Sequence, residues 1–167
     1  MPVSFPEEPL DLPSAKGGGY YPASIGEKLN GDRYEVVRKL GYGPRSSVWL
    51  VLRPKPAAYS AVKIYTVAAS DRANRVELPV LQSLKRIDPA MHLPPFEGKF
   101  WQESKHGSHL CILMNPLSTS IQDLRRQAEN KRLPLHVVQR IVGTVADSLK
   151  ILHRAEIMHG GMLLTLS

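Results

Sequence analysis

Three stretches carry residue types that could do chemistry together. Gly41-Tyr42-Gly43-Pro44-Arg45-Ser46-Ser47-Val48 is a glycine-rich turn. Glycine lets backbone amides come close to an anion, and such turns can cradle phosphates. A plain hairpin turn uses glycine as well. Lys63 stands inside the apolar stretch Ala61-Val62-Lys63. A lysine there is either a solvent-face residue or a point charge for nucleotide phosphates. Glu77 follows fourteen residues later. It is either an exposed helical glutamate or the carboxylate that aligns Lys63. A dinucleotide-binding reading of the glycines requires a helix after them. A strand follows instead, which disfavours it.

The flanking residues predict the elements that must position these groups. Tyr34 to Leu40 alternates with period two and reads as a strand. Ser47 to Arg53 is rich in β-branched and aromatic residues and reads as a second, and Tyr59 to Val67 as a third. Next comes a helical pattern in which Val76, Val80, Leu84 and Ile87 recur at helical spacing, with Asp71 as the expected N-cap. Pro79 breaks that pattern. An interior proline costs roughly 3 kcal/mol, so the helix either kinks or starts near Pro79 as a first-turn proline. A distorted helix would carry Glu77 out of reach of Lys63. Phe96–Gln102 and His109–Met114 read as two further strands, the second apolar enough for a central position. Ser118 or Thr119 would cap a short helix through Arg126. A longer helix starts at Pro134, with one apolar stripe of Val138, Ile141, Val142, Val145, Leu149 and Leu152. Five strands, one helix between the third and fourth, then helices make an α+β arrangement.

The whole set is more specific than its parts. A glycine turn between strands one and two, a lysine on strand three, a glutamate on the next helix and an apolar fifth strand are the layout of the ATP-side lobe of a protein kinase. Residues 20–154 resemble the N-lobe and first C-lobe helices of eukaryotic protein kinases. Within them the chain is similar to the SR-protein kinases, in a fungal-type version, through YYPASIGEKLNGDRYEVVRKLGYGPRSSVWLV, AVKIY, HGSHLCILMNPLSTSIQDL and LPLHVVQRIVGTVADSLKILHRAEIMH. The resemblance implies a five-stranded antiparallel sheet plus one helix over residues 20–117, and the first helices of a C-lobe over 118–167. It implies that Gly41, Tyr42, Gly43, Pro44, Arg45, Ser46 and Ser47 line a phosphate loop. Leu40 and Val48 would sandwich adenine, with Ala61 above it. Lys63 would contact the α- and β-phosphates and pair with Glu77. Met114 would be the gatekeeper, and the Asn115 carbonyl and Leu117 amide would meet the adenine edge. ATP and a cytoplasmic or nuclear location follow from the same resemblance, with magnesium and an Arg/Ser-rich protein substrate only where the rest of the C-lobe is present. For Leu40, Val48, Ala61 and Met114 a plain core role stays open.

The likeness breaks at His159. That residue matches the start of the catalytic-loop motif H-x-D-x-K-P-x-x-N. Gly161 stands where the aspartate is expected, Leu163 where the lysine is and Leu166 where the metal-holding asparagine is. No D-F-G follows. The expectation is a truncated kinase domain that keeps the nucleotide-cradling half and transfers no phosphate by itself. A non-catalytic nucleotide-binding or partner-binding remnant is the alternative.

Composition sets the outer limits. The chain has 167 residues, with 43% hydrophobic and 22% charged. That suits about one domain with a real core and excludes disorder throughout. No apolar run is long enough to cross a membrane as a helix, and no secretory leader is visible. Residues 1–19, with Pro2, Pro6, Pro9, Pro13 and Gly17 to Gly19, read as a disordered extension. The net charge of +7 suggests an anionic partner, but the basic residues are dispersed. Direct nucleic-acid binding rests on that charge alone and is not expected. Arg125, Arg126, Lys131 and Arg132 form a local cluster that reads as a solvated helix end. The six histidines show no metal spacing with the single cysteine, Cys111, itself a core residue by its apolar neighbours.

Overall fold

Period-two alternation decides this fold, because each strand offers one set of side chains to each face of a single sheet. The computed structural model describes residues 7–87, 96–117 and 119–158. The strands are β1 (Lys28–Leu29), β2 (Tyr34–Gly43), β3 (Ser46–Pro54), β4 (Ala57–Tyr65), β5 (Phe96–Ser104) and β6 (Gly107–Met114). They form a six-stranded sheet in the order β1-β2-β3-β4-β6-β5, antiparallel at every neighbouring pair. β6 is the apolar stretch, and it lies between β4 and β5, where both its edges are paired. The sequence predicts five of these strands. The sixth, β1, has only two residues and shows no alternation to read.

The chain falls into two compact units, residues 1–82 with 95–116 and residues 83–94 with 117–167. In the first, the strands divide two cores between them. Val36, Trp49, Val51, Val62, Ile64, Cys111 and Leu113 pack on one face with Phe100, under Tyr21, Ala23 and Leu29. Tyr65, Leu110 and Ile112 pack on the other face, against Ala73 and Leu78 of the helical segment.

The helical segment starts earlier than the spacing predicts. α1 spans Val67–Arg72 behind Thr66, whose backbone is extended and whose side chain makes no capping bond. Asp71 is therefore inside the helix and is not its cap. Ser70 ties α1 to the sheet: its hydroxyl donates to the Thr66 carbonyl (2.9 Å) and accepts from the Leu110 amide (2.9 Å). A π-helical turn, Ala73–Glu77, joins α1 to α2 (Leu78–Ile87). Pro79 follows the π turn directly, in a helical segment that continues unbroken from α1, so the sequence's two options, a kink or a start near Pro79, give way to a widened turn.

Residues 7–19 make specific contacts with the rest of the first unit. Glu8 is buried and pairs with Lys39. The His106 ring meets the Leu10 carbonyl at 2.7 Å, and Lys105 pairs with Asp11 at 2.6 Å. Gly18 explains the glycine run. A Cβ there would lie 2.0 Å from the Leu12 carbonyl oxygen, so only glycine lets the chain fold back on itself. The glycines serve a tight turn in place of chain freedom.

In the second unit α3 spans Ile121–Gln127 and α4 spans Leu135–Arg154. The cap of α3 is Ser120, whose hydroxyl accepts from the Asp123 amide at 3.1 Å, and not Thr119. Ser118, the other expected cap, lies outside the described residues. Pro134 occupies the N-cap position of α4, one residue earlier than predicted. Of its apolar stripe, Leu152 is buried while Val138 and Val142 are exposed.

Candidate functional site

The β2–β3 hairpin brings the glycine stretch back over the sheet. Gly41 pairs with Val48 and Gly43 with Ser46, leaving Pro44 and Arg45 at the exposed tip. Beside Gly41 and beside Gly43 a Cβ would meet no atom within 4 Å. Neither glycine has a positive φ. Space, not backbone conformation, is what these two glycines provide, and it is room a phosphate could fill. The Tyr20 hydroxyl donates to the Gly43 carbonyl at 2.8 Å and holds the hairpin from behind.

Register then aligns the remaining residues. Lys63 on β4 lies between Val48 on β3 and Ile112 on β6. Ala61 lies between Leu50 and Met114. Leu40 sits at an irregularity between Lys39 and Gly41 and is 39% exposed. Val48, Ala61, Lys63 and Met114 thus share one face. Tyr42 and Ser47 do not. They pair with each other one residue out of phase, so their side chains point to the opposite face. Ser47 is fully buried and accepts from the Trp49 indole at 3.0 Å, and the Tyr42 ring lies under the Lys39 ammonium. Of the expected phosphate-loop residues, these two can offer a ligand only their backbone. Asn115 follows directly on β6 and is exposed. Leu117 belongs to the second unit and is exposed as well. His159 and the departures at Gly161, Leu163 and Leu166 lie outside the described residues.

Lys63 and Glu77 come together at 2.8 Å. The doubt that Pro79 raised is settled by the helix: the π turn absorbs the proline and still delivers the carboxylate. Both side chains are partly solvated, so the pair adds only about 0–1 kcal/mol to stability. What it fixes is the position of an ammonium. The Lys63 Nζ also lies 4.6 Å from the centre of the Tyr65 ring. Tyr65 is a residue that sequence reasoning missed, although it stands two positions after Lys63 and so on the same face. Its hydroxyl is buried without a hydrogen-bond partner. Burial, and then the Glu77 carboxylate, push its pKa far up, so it stays a neutral phenol beside the pair. A cleft of about 520 Å3 opens next to these groups, with Arg45, Tyr65, Arg72, Val76 and Glu77 among its walls.

The face therefore presents a cation held by a carboxylate, open space beside two glycines, and the half-buried Val48 and Met114 beside the buried Ala61. Among the described residues no group of three or more His, Cys, Asp or Glu could hold a metal. His109 is buried with both ring nitrogens engaged, by the Tyr65 carbonyl (2.7 Å) and the Ser104 hydroxyl (2.7 Å). Burial also pushes the Cys111 thiol up. Both are core residues on the far face.

The chain is 30% identical over 160 residues to the serine/threonine-protein kinase SRPK of Physarum polycephalum, covering 93% of this chain and 37% of that protein. It is 31% identical over 164 residues to SRSF protein kinase 3 of Mus musculus, covering 92% of this chain and 28% of that protein. It is 29% identical over 142 residues to protein kinase dsk1 of Schizosaccharomyces pombe, covering 82% and 26%. The chain is related to the SR-protein kinases. It spans about a quarter to a little over a third of the length of these curated relatives. A crystal structure of a kinase domain superposes with a TM-score of 0.69 at 20% identity, over 82% of this chain and 39% of that one. The fold is thus that of part of a kinase domain, as the resemblance implies. No protein-family model matches the chain. Among the described residues no helix is long and apolar enough to cross a membrane.

Proposed function

We propose that residues 20–117 are the nucleotide-holding half of a serine/threonine kinase of the SR-protein type, with ATP as the ligand. The observation that carries this reading is the Lys63–Glu77 pair at 2.8 Å, on the same face as the open glycine hairpin. In it, the backbone N–H groups of the Gly41–Ser46 hairpin, Pro44 having none, wrap the phosphates. Lys63 neutralises the α- and β-phosphates while Glu77 holds its ammonium in place. Leu40, Val48 and Ala61 enclose the adenine, Met114 bounds it, and the Asn115 carbonyl meets its edge. These groups bind, orient and exclude water; none of them moves a proton.

Transfer needs more. Phosphoryl transfer depends on a base-positioning aspartate and on metal held by further side chains. The sequence has glycine at 161 and leucine at 166, and no D-F-G. No residue here is assigned to magnesium. The 167 residues by themselves therefore hold nucleotide without transferring phosphate to an Arg/Ser-rich protein. Where the missing groups are supplied, such a kinase works on Arg/Ser-rich proteins in cytoplasm or nucleus. Retention of the pair without the catalytic loop equally suits a non-catalytic, partner-binding role.

Titration with Mg-ATP, followed by calorimetry, tests the reading. Saturable binding is expected, weakened about tenfold or more, or about 1.4 kcal/mol, by Lys63→Met. Equal affinity in Lys63→Met overturns the assignment. Incubation with an Arg/Ser-rich peptide and labelled ATP should give no transfer; robust transfer that depends on Lys63 overturns the inactivity.

A further inference from the structure

The π turn ahead of Pro79 has a mechanical cause and a chemical consequence. In an α-helix the residue 79 N–H would donate to the Arg75 carbonyl. Proline has no N–H, and its ring would collide with that same carbonyl. The chain escapes by widening the preceding turn. The Leu78 amide donates to the Ala73 carbonyl, five residues back instead of four. One extra residue in a turn offsets everything after it by about 100° relative to a regular α-helix.

That offset matters because the segment is pinned at both ends. Ser70 and Ala73 fix α1 against β6 and the core. Leu78 fixes the start of α2 in the same core, where it is 3% exposed. Glu77 is the last residue of the wide turn, between the two anchors. In this phase its carboxylate meets Lys63 at 2.8 Å. Pro79 itself is exposed and fills no core space. Asn74, Arg75, Val76 and Glu77 are all residues a regular helix accepts, so the proline is the local feature that forbids closure.

We propose that Pro79 is a positioning residue: it enforces the π turn and, through it, sets Glu77 against Lys63. The geometry of the pair is independent of any ligand. Only the consequence for nucleotide affinity rests on the proposed function above.

The test is zero-length cross-linking of the full 167-residue chain with a water-soluble carbodiimide. The reagent joins a carboxylate and an amine in contact as an amide, with loss of water to the carbodiimide. Peptide mass spectrometry reads two links. One is Lys63–Glu77, verified by its absence in Glu77→Gln. The other is Lys28–Glu35, an ion pair between β1 and β2 remote from the helix, which reports an intact sheet. In Pro79→Ala the turn is free to close, and the Lys63–Glu77 link should fall about tenfold relative to Lys28–Glu35, since a rotation of about 100° ends contact. Pro79→Gln should behave alike. An unchanged ratio in either variant overturns the proposal, because packing alone would then hold the turn. Loss of both links in both variants also overturns it, by making Pro79 a stabiliser of the whole unit. If the native chain binds Mg-ATP, affinity should drop in step with the cross-link. If it binds no nucleotide while the link still depends on Pro79, the nucleotide reading fails and the positioning role stands.

Discussion

The two faces of the sheet are built from the same strands and have opposite fates. Val62 and Ile64 of β4 are buried on one face; Ala61 and Lys63, their immediate neighbours, are on the other. The first face is sealed by residues 20–29, with Tyr21, Ala23 and Leu29 closing over Trp49, Val51, Ile64 and Cys111. On the second, α1 and α2 pack over Tyr65, Leu110 and Ile112, with Phe96 and Met114 at the margin of that core. Beside the glycine hairpin Val48 is half-buried, and Ala61 is buried. Core packing and the Lys63–Glu77 pair are thereby separated by one residue of register. A strand can carry a cation on one side because its other side is dry.

Truncations on the two faces should show that separation most strongly. Ile64→Ala removes a side chain that is 1% exposed and should cost about 2–5 kcal/mol. Leu40→Ala, at the exposed irregularity of β2, should cost under about 1 kcal/mol. Denaturant unfolding of both variants checks this, with nucleotide affinity read in parallel. A large stability loss from Leu40→Ala would mean that this irregularity is also core.

The histidine on the sealed face gives the next largest effect. Burial first, with a smaller push from His106, holds the His109 pKa below its usual value, against the opposing pull of the Tyr65 carbonyl and Glu103. A depressed histidine contributes stability that is present above its unfolded pKa of about 6.5 and is lost as pH falls through that value toward the folded pKa. The loss is at most about 1.4 kcal/mol per pH unit. Between pH 7 and 5 the unfolding free energy should fall with a slope that His109→Asn flattens. An identical slope in the variant would place the titration elsewhere.

What the sequence reveals follows the same division. Lys63, Glu77 and the glycines are legible because their chemistry sits in local patterns, a lysine in an apolar run and glycines between strands. The sealing segment is not. Its prolines and glycines read as an extension, and nothing local announces that Gly18 is a turn without room for a side chain, or that Tyr20 and Tyr21 will be buried. Those facts depend on strands that come later in the chain. Thr66 hides the start of α1 for a related reason: it closes an apolar strand and makes no capping bond, so no sequence signal separates β4 from the helix. Asp71 has the cap chemistry and the wrong place. Pro79 is legible as a conflict, and the choice of a widened turn over a kink or a fresh start is not, because it depends on where Leu78 must meet a core built from strands on either side of the helix. Tyr42 and Ser47 show the limit of motif reading. A motif names a run of residues, while the pleat assigns alternate ones to opposite faces.

The smallest expected effect is also the one that divides the faces most finely. Gly41 lacks a positive φ, and a Cβ there meets nothing. For folding alone, Gly41→Ala should be neutral or stabilising by about 0.4–1 kcal/mol, since alanine restricts the unfolded chain more than glycine does. For a ligand whose phosphates lie against that backbone, the same methyl group takes the space. The variant should therefore unfold at equal or higher denaturant concentration and bind Mg-ATP more weakly. Unchanged affinity together with raised stability would mean that the space beside Gly41 is ordinary solvent, and that the glycine serves the hairpin and not a ligand. Lowered stability would point to a packing contact on the open face and would weaken the contrast between the two sides of the sheet.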